Sequence, residues 1–240
     1  MNSSALALIG FVIAMESETK CIAPLFEKCA ETETAGFRVV KGEVCGSPAL
    51  LVTCGVGKVN AAAATSLALS MGATRIVNAG FAGGLLPDMK VGDISWISAA
   101  VQYDFDLSQL NGTPVGTLDG ADSQYIPLAA PPPSALLPPS PGVCATGDRF
   151  NDSDADYELI RSCGCTVRDM ECAAIAQLCQ RAQVPFHSFK CVSDVRGNGA
   201  TPEQFKQNIA ICQMAMEKFF REYMPELVAR KGIEPLTLGL

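Results

Sequence analysis

The stretch from Arg168 to Val195, RDMECAAIAQLCQRAQVPFHSFKCVSDV, constrains the fold more than any other part of the chain. It opens on an acidic pair, Asp169 and Glu171, around Met170. A small-residue helix is expected over Glu171–Ala182 and a buried strand over Pro185–Val192, and the segment closes on Ser193-Asp194. A helix followed at once by an apolar strand is the repeating unit of a sheet covered by helices. Ligand sites of open α/β sheets lie where strands end. Glu171 and Asp194 stand at those edges, so this segment proposes both a fold and a site.

The same alternation runs through the rest of the chain. Leu6–Ile13 is a continuous apolar run with Gly10 inside it, as in a strand buried on both faces. Thr19–Cys29 reads as a helix. Phe37–Val40 and Glu43–Cys45 read as strands split by a turn at Lys41-Gly42, and Ala49–Thr53 follows a second turn at Gly46-Ser47-Pro48. Gly55-Val56-Gly57-Lys58 opens a long Ala- and Leu-rich helix, Val59–Met71. Arg75–Asn78 is a short strand running into the glycine-rich loop AGFAGG. Strands are expected at Val91–Val101, Val143–Thr146 and Thr166–Arg168, with a helix at Asp154–Ser162. Thr201-Pro202-Glu203-Gln204 carries an N-cap Thr, a first-turn Pro and a Gln three residues on, a helix start that runs to about Val228. The tail, Gly232–Leu240, is weakly specified. Seven prolines between Ile126 and Gly142 forbid regular structure over most of that stretch, which reads as a surface excursion of one domain spanning residues 1–240. The expectation is an α/β fold with a mostly parallel sheet covered on both faces, mixed where Phe37–Thr53 turns back on itself.

Composition narrows the class of partner. A chain of 240 residues that is 48% hydrophobic can bury one full core. Its net charge is −7 and it has no basic run of five, which argues against nucleic acid or an anionic membrane as partner. Eleven cysteines, an odd number without a CxxC pair, read as free thiols in a reducing cytoplasm. The apolar N-terminal run lacks a basic flank and reads as a first strand rather than a signal peptide.

Several chemistries fall away on residue count and spacing. Gly55–Lys58 has neither the P-loop nor the GxGxxG spacing. Asp152–Asp156 begins like a calcium loop but lacks the Gly and the final Glu. His187 is the only histidine and sits mid-strand, so a Ser-His-Asp triad or a histidine metal site is excluded. What remains is a set of carboxylates beside glycines and strand ends: Glu16, Glu18, Asp148, Asp169, Glu171 and Asp194. Glu171 and Asp194 border apolar, Cys- and Ala-rich segments, where burial raises a carboxyl's pKa and suits it to acid chemistry.

Seven blocks in order extend this reading: IAMESE from Ile13, CGVGKVN from Cys54, NAGFAGGL from Asn78, VGD from Val91, GDRF from Gly147, DME from Asp169 and Ser193-Asp194. Together they resemble the nucleoside phosphorylase/nucleosidase superfamily, and most closely its 5′-methylthioadenosine/S-adenosylhomocysteine nucleosidases, over roughly Leu8 to Phe220. The resemblance implies a three-layer αβα fold with a central mixed sheet. It also implies a homodimer that hydrolyses the N-glycosidic bond of a purine nucleoside in methionine salvage, with no metal and no cofactor. By the same resemblance Asp194 serves N7 of the leaving adenine, beside Ser193, and Phe150 stacks on the base. The backbone of Asn151 reads the adenine edge, Glu171 and the Met170 backbone hold the ribose, and Glu18 activates the attacking water.

The superfamily's phosphorylases place arginines around a phosphate, whereas the stretches AMESE and NAGFAGG contain none, so water is the expected nucleophile. A phosphate-dependent phosphorylase and a non-catalytic nucleoside-binding protein are the alternatives. Four positions depart from the nucleosidase pattern: Phe81 for Ser, Lys190 for Arg, Asp169 for Glu, and Arg196 where a small residue is common. Phe81 is expected to narrow the nucleophile pocket, and Lys190 or Arg196 to admit a charged group.

Overall fold

The computed structural model describes residues 7–150, 153–199 and 201–229. Its first half runs β1 (Ile9–Ile13), α1 (Glu16–Ile22), β2 (Phe26–Thr34), β3 (Phe37–Val44), β4 (Ser47–Thr53), α2 (Lys58–Ser70) and β5 (Arg75–Gly84). The second half runs β6 (Ile94–Gln102), α3 (Ser108–Asn111), β7 (Ile126–Pro127), β8 (Gly142–Thr146), α4 (Asp154–Ser162), β9 (Val167–Asp169), α5 (Cys172–Ala182), β10 (Phe186–Val195) and α6 (Thr201–Ala229). The expected weak tail falls outside the described residues.

The strands form one mixed sheet in the order β10-β6-β8-β9-β5-β1-β4-β3-β2, with β7 on β6. A further β10–β5 pairing closes β5, β10, β6, β8 and β9 into a ring, from which β1 to β4 extend as an open wing. Helices flank the sheet on both sides. On one face Val12, Leu50, Val52 and Ile76 meet α2 and α5 through small side chains such as Ala61, Ala64, Ala68, Ala173 and Ala176. On the other, Ile9, Phe11 and Ile13 meet α1 and the aromatic side of α6, Phe219, Phe220 and Tyr223. The period-two split of β1 between these cores is what a doubly covered strand requires. Gly10 makes room for a β5 side chain and for α2: a Cβ there would sit 2.9 Å from Ile76 Cδ1 and 3.4 Å from Ala68 Cβ. None of the eleven cysteines is disulfide-bonded. Among the described residues no helix is long and apolar enough to cross a membrane.

Four expectations are corrected. The helix placed over Thr19–Cys29 begins at Glu16 and ends at Ile22, because Pro24 stops it in a short 3-10 turn, and Phe26–Thr34 becomes a strand. That strand is exposed on both faces and pairs only with β3, so no apolar pattern marks it; its glutamates instead protect a sheet edge. The turn placed at Lys41-Gly42 is continuous strand, with Gly42 opposite a bulge where a Cβ would lie 2.6 Å from Glu27 O. The reversals are two-residue hairpins at Ala35-Gly36 and Cys45-Gly46, all four residues at positive φ. The AGFAGG loop is not a loop: β5 runs through it to Gly84, buried throughout. Finally, the proline-rich excursion is partly interior. Ile126, Leu128, Ala129, Pro131 and Pro132 are buried, Tyr223 Oη donates to Pro132 O at 2.7 Å, and Trp96 Nε1 donates to Pro138 O at 3.1 Å.

Candidate active site

The C-terminal ends of β1, β5, β9 and β10 open on a cavity of about 460 Å³. Glu18, Met170, Glu171, Ser193 and Asp194 all line it, as do Phe81 and Phe150. Asn151 lies outside the described residues. These seven lie together on the cavity wall although they come from five separate parts of the chain.

Glu18 projects from the first turn of α1 and is 4% exposed. Its Oε1 accepts from Phe81 N at 2.7 Å and its Oε2 from Met15 N at 2.9 Å. Burial raises its pKa, against the pull of those two N–H groups and of Lys190. The room for this carboxylate is made by Gly80, where a Cβ would sit 2.8 Å from Glu18 Oε1. Gly80→Ala should therefore displace the carboxylate more than it unfolds the sheet. We expect a drop in kcat on the order of 10²-fold from misplacement, with a thermal melt close to wild type. Full activity in that variant would contradict the geometry.

Asp194 is placed by a bulge in β10. Val192 pairs with Ala82 and Asp194 with Gly83, leaving Ser193 extra between them. Such a bulge re-aims a side chain. Asp194 Oδ1 accepts from Ser193 Oγ at 2.8 Å, and Oδ2 lies 2.9 Å from where a Gly83 Cβ would be. The glycines of β5 thus serve close approach by two carboxylates, which is why a strand interior tolerates them.

Glu171 caps the start of α5 in space but turns its carboxyl away, accepting from Gly57 N at 2.9 Å. The Gly55–Lys58 turn is therefore a support for Glu171, and next to it Lys58 N donates to Asp148 Oδ1 at 2.8 Å. Burial, and after it the charge of Asp169, pushes the Glu171 pKa from the ordinary 4.5 to about 8. A group whose native pKa is raised binds its proton more tightly folded than unfolded, so its burial costs stability as pH rises from 4.5 to about 8. Glu171→Gln removes that dependence. Thermal melts between pH 5 and 8 should show the Gln variant gaining on wild type as pH rises; parallel curves would refute a raised pKa.

Lys190 lies beneath the cavity rather than on its wall. Its Nζ is 2.7 Å from Asp169 Oδ2, and both side chains are 1% exposed. Burial, the largest single influence, disfavours its charge, but Asp169 together with Cys172, Cys144 and Glu171 more than restores it, and its pKa stands above the ordinary lysine value. Asp169 also accepts from Thr146 Oγ1 at 2.6 Å and Cys172 N at 2.9 Å. Direct contact of Lys190 with a ligand is thus corrected to support from behind. Arg196 is corrected similarly: it pairs with Asp154 and stacks 4.5 Å over Tyr157, off the cavity wall. Among the described residues, Cys144, Asp169 and Cys172 bring possible metal-ligand atoms within 4.8 Å of one another, but the Lys190 ammonium occupies the flank of Asp169 that a cation would need.

Sequence reading missed the contribution of α6. Phe205 stacks edge-on against Phe150 at 5.4 Å and Phe81 at 6.3 Å, making an aromatic rim, with Pro202 and Lys206 beside it. An apolar Phe in the first turns of a polar helix was the available signal. Arg149 and Arg168 also line the cavity and were not singled out.

A family model described as the phosphorylase superfamily matches residues 8–225. A 5′-methylthioadenosine/S-adenosylhomocysteine nucleosidase of Geobacillus kaustophilus is 35% identical over 218 residues, covering 85% of this chain and 91% of the relative. One from Shewanella denitrificans is 31% identical over 212 residues, covering 84% and 91%. Among solved structures, the Colwellia psychrerythraea nucleosidase in complex with adenine superposes with a TM-score of 0.84 at 27% identity, covering 92% of this chain and 96% of that one. The futalosine hydrolase of Helicobacter pylori gives 0.82 at 25% identity, covering 94% and 100%.

Proposed function

Because this chain belongs to the phosphorylase superfamily, matched over residues 8–225, we propose that it hydrolyses the N-glycosidic bond of 5′-methylthioadenosine, S-adenosylhomocysteine or a related 5′-modified adenosine, releasing adenine. One observation carries this reading above the rest. Two buried carboxyl groups from different elements, Glu18 and Asp194, face a single cavity large enough for a nucleoside, with an aromatic rim at its mouth.

The chemistry follows from where charge develops. As the base departs, the sugar takes on oxocarbenium character and the base takes on negative charge. Asp194 delivers a proton to N7, held in orientation by Ser193 Oγ. Glu18, fixed by Phe81 N and Met15 N, accepts the proton of the attacking water and faces the cationic sugar. Glu171, still protonated at neutral pH with a pKa of about 8, can both donate to and accept from ribose hydroxyls. Met170 packs beside it, and Phe150 with Phe205 and Phe81 encloses the base.

Water is the nucleophile in this reading. Lys190, the cation beneath Glu18, is held by Asp169, and the Phe81 N–H is held by Glu18 itself, so that end of the cavity offers carboxylates rather than an anion cradle. The exposed Val56 and Val59, next to the cavity on the α2 side, support a homodimer in which a second copy covers them. A cytoplasmic enzyme of methionine salvage is the corresponding cellular role. A chromatographic assay of adenine release from several 5′-substituted adenosines tests the reading: release from at least one is expected, and tight binding with no release from any would overturn it.

A further inference from the structure

We propose that Arg168 reads position 6 of the purine and extends the substrates of this site to 6-oxopurine nucleosides; this rests on the nucleosidase reading above. Arg168 lies on β9 opposite Gly83 of β5. A Cβ on Gly83 would meet Asp194 Oδ2 at 2.9 Å and Arg168 Nε at 3.2 Å, so guanidinium and carboxylate approach the same point of the wall. Both residues line the cavity. Nη2 of Arg168 also reaches Thr201 Oγ1 at 3.4 Å, so the guanidinium extends toward the start of α6.

The consequence lies in hydrogen-bond polarity. One edge of a 6-aminopurine presents an acceptor at N7 and a donor at position 6, whereas a 6-oxopurine presents acceptors at both. A carboxyl alone suits the first pattern, serving N7 and accepting from the 6-amino group. A guanidinium donates only, and five N–H groups in a fixed fork make it the commonest partner for the O6 and N7 acceptors of a 6-oxopurine. With Asp194 on N7 and Arg168 at position 6, the wall matches the 6-oxo edge. Negative charge that builds on O6 as the base leaves is then met by a cation already in place.

The experiment compares kcat/KM for 5′-methylthioinosine and 5′-methylthioadenosine in wild type, Arg168→Met and Arg168→Lys. We expect wild type to release hypoxanthine, and Arg168→Met to lower the inosine-to-adenosine ratio of kcat/KM by about tenfold or more, with Arg168→Lys recovering part of it. The ratio is insensitive to a loss of folded enzyme. Adenine release without hypoxanthine release by wild type, or a ratio unchanged in Arg168→Met, would overturn the proposal and leave the nucleosidase reading intact. Release of neither base would overturn both.

Discussion

Asp194→Asn is expected to lower turnover by about 10²–10⁴-fold while the nucleoside still binds. Asp194 is 2% exposed, pinned by Ser193 Oγ, and seated against Gly83, so the isosteric amide fits the same space. An amide can hydrogen-bond N7 but cannot hand it a proton. The loss should therefore fall on kcat and kcat/KM together, the mark of an interaction made in the transition state. It should also shrink for a riboside whose leaving group departs without protonation, such as p-nitrophenol. An Asn variant with near-normal turnover of the natural nucleoside would remove Asp194 from the acid role.

Lys190→Met carries the largest expected cost in stability, about 3–5 kcal/mol, the usual cost of leaving one half of a buried ion pair uncompensated. Its ammonium lies 2.7 Å from Asp169, and its charge also lowers the proton affinity of Glu18 and Glu171. Without it, Glu18 and Glu171 hold their protons still more tightly when folded than when unfolded. Native protein then binds the extra protons, so the deficit should shrink as pH falls from 8 to 5. Urea denaturation across that range measures it. Adding Asp169→Asn to Lys190→Met should recover part of the loss, because the unpaired charge is gone. A Lys190→Met protein as stable as wild type at every pH would contradict the buried pair.

Much of the architecture was legible because hydrophobic period and burial coincide. The Ala-rich α2, the apolar β1 and the α5–β10 unit were read within a residue or a few of their limits. The misses share a cause: their reason is tertiary. The exposed β2 shows no apolar alternation, since its partner strand, not a core, holds it. The glycines of β5 contradict strand propensity, and they make sense only once the Glu18 and Asp194 carboxylates occupy the space of their side chains. The prolines after Ile126 read as surface, yet their backbone oxygens receive Tyr223 and Trp96.

The site divides in the same way. Glu171 and Asp194 stood out as acids beside apolar segments, and the ordered motif blocks added Glu18, Met170, Phe81 and Phe150 to one wall. What spacing could not supply was the direction of the cations. Lys190 and Arg196 looked available to a ligand in sequence, but their own carboxylates, Asp169 and Asp154, hold them. Arg168, beside the acidic pair, and Phe205, far along the chain, reach the cavity only through the pairing of β9 with β5 and the course of α6.

The most direct test of the account is the fate of labelled water. Methylthioadenosine cleaved in H₂¹⁸O, with and without inorganic phosphate, should yield free sugar carrying one ¹⁸O at its anomeric carbon, at a rate indifferent to phosphate and strongly reduced in Glu18→Gln. A sugar 1-phosphate, formed only when phosphate is present, would contradict it.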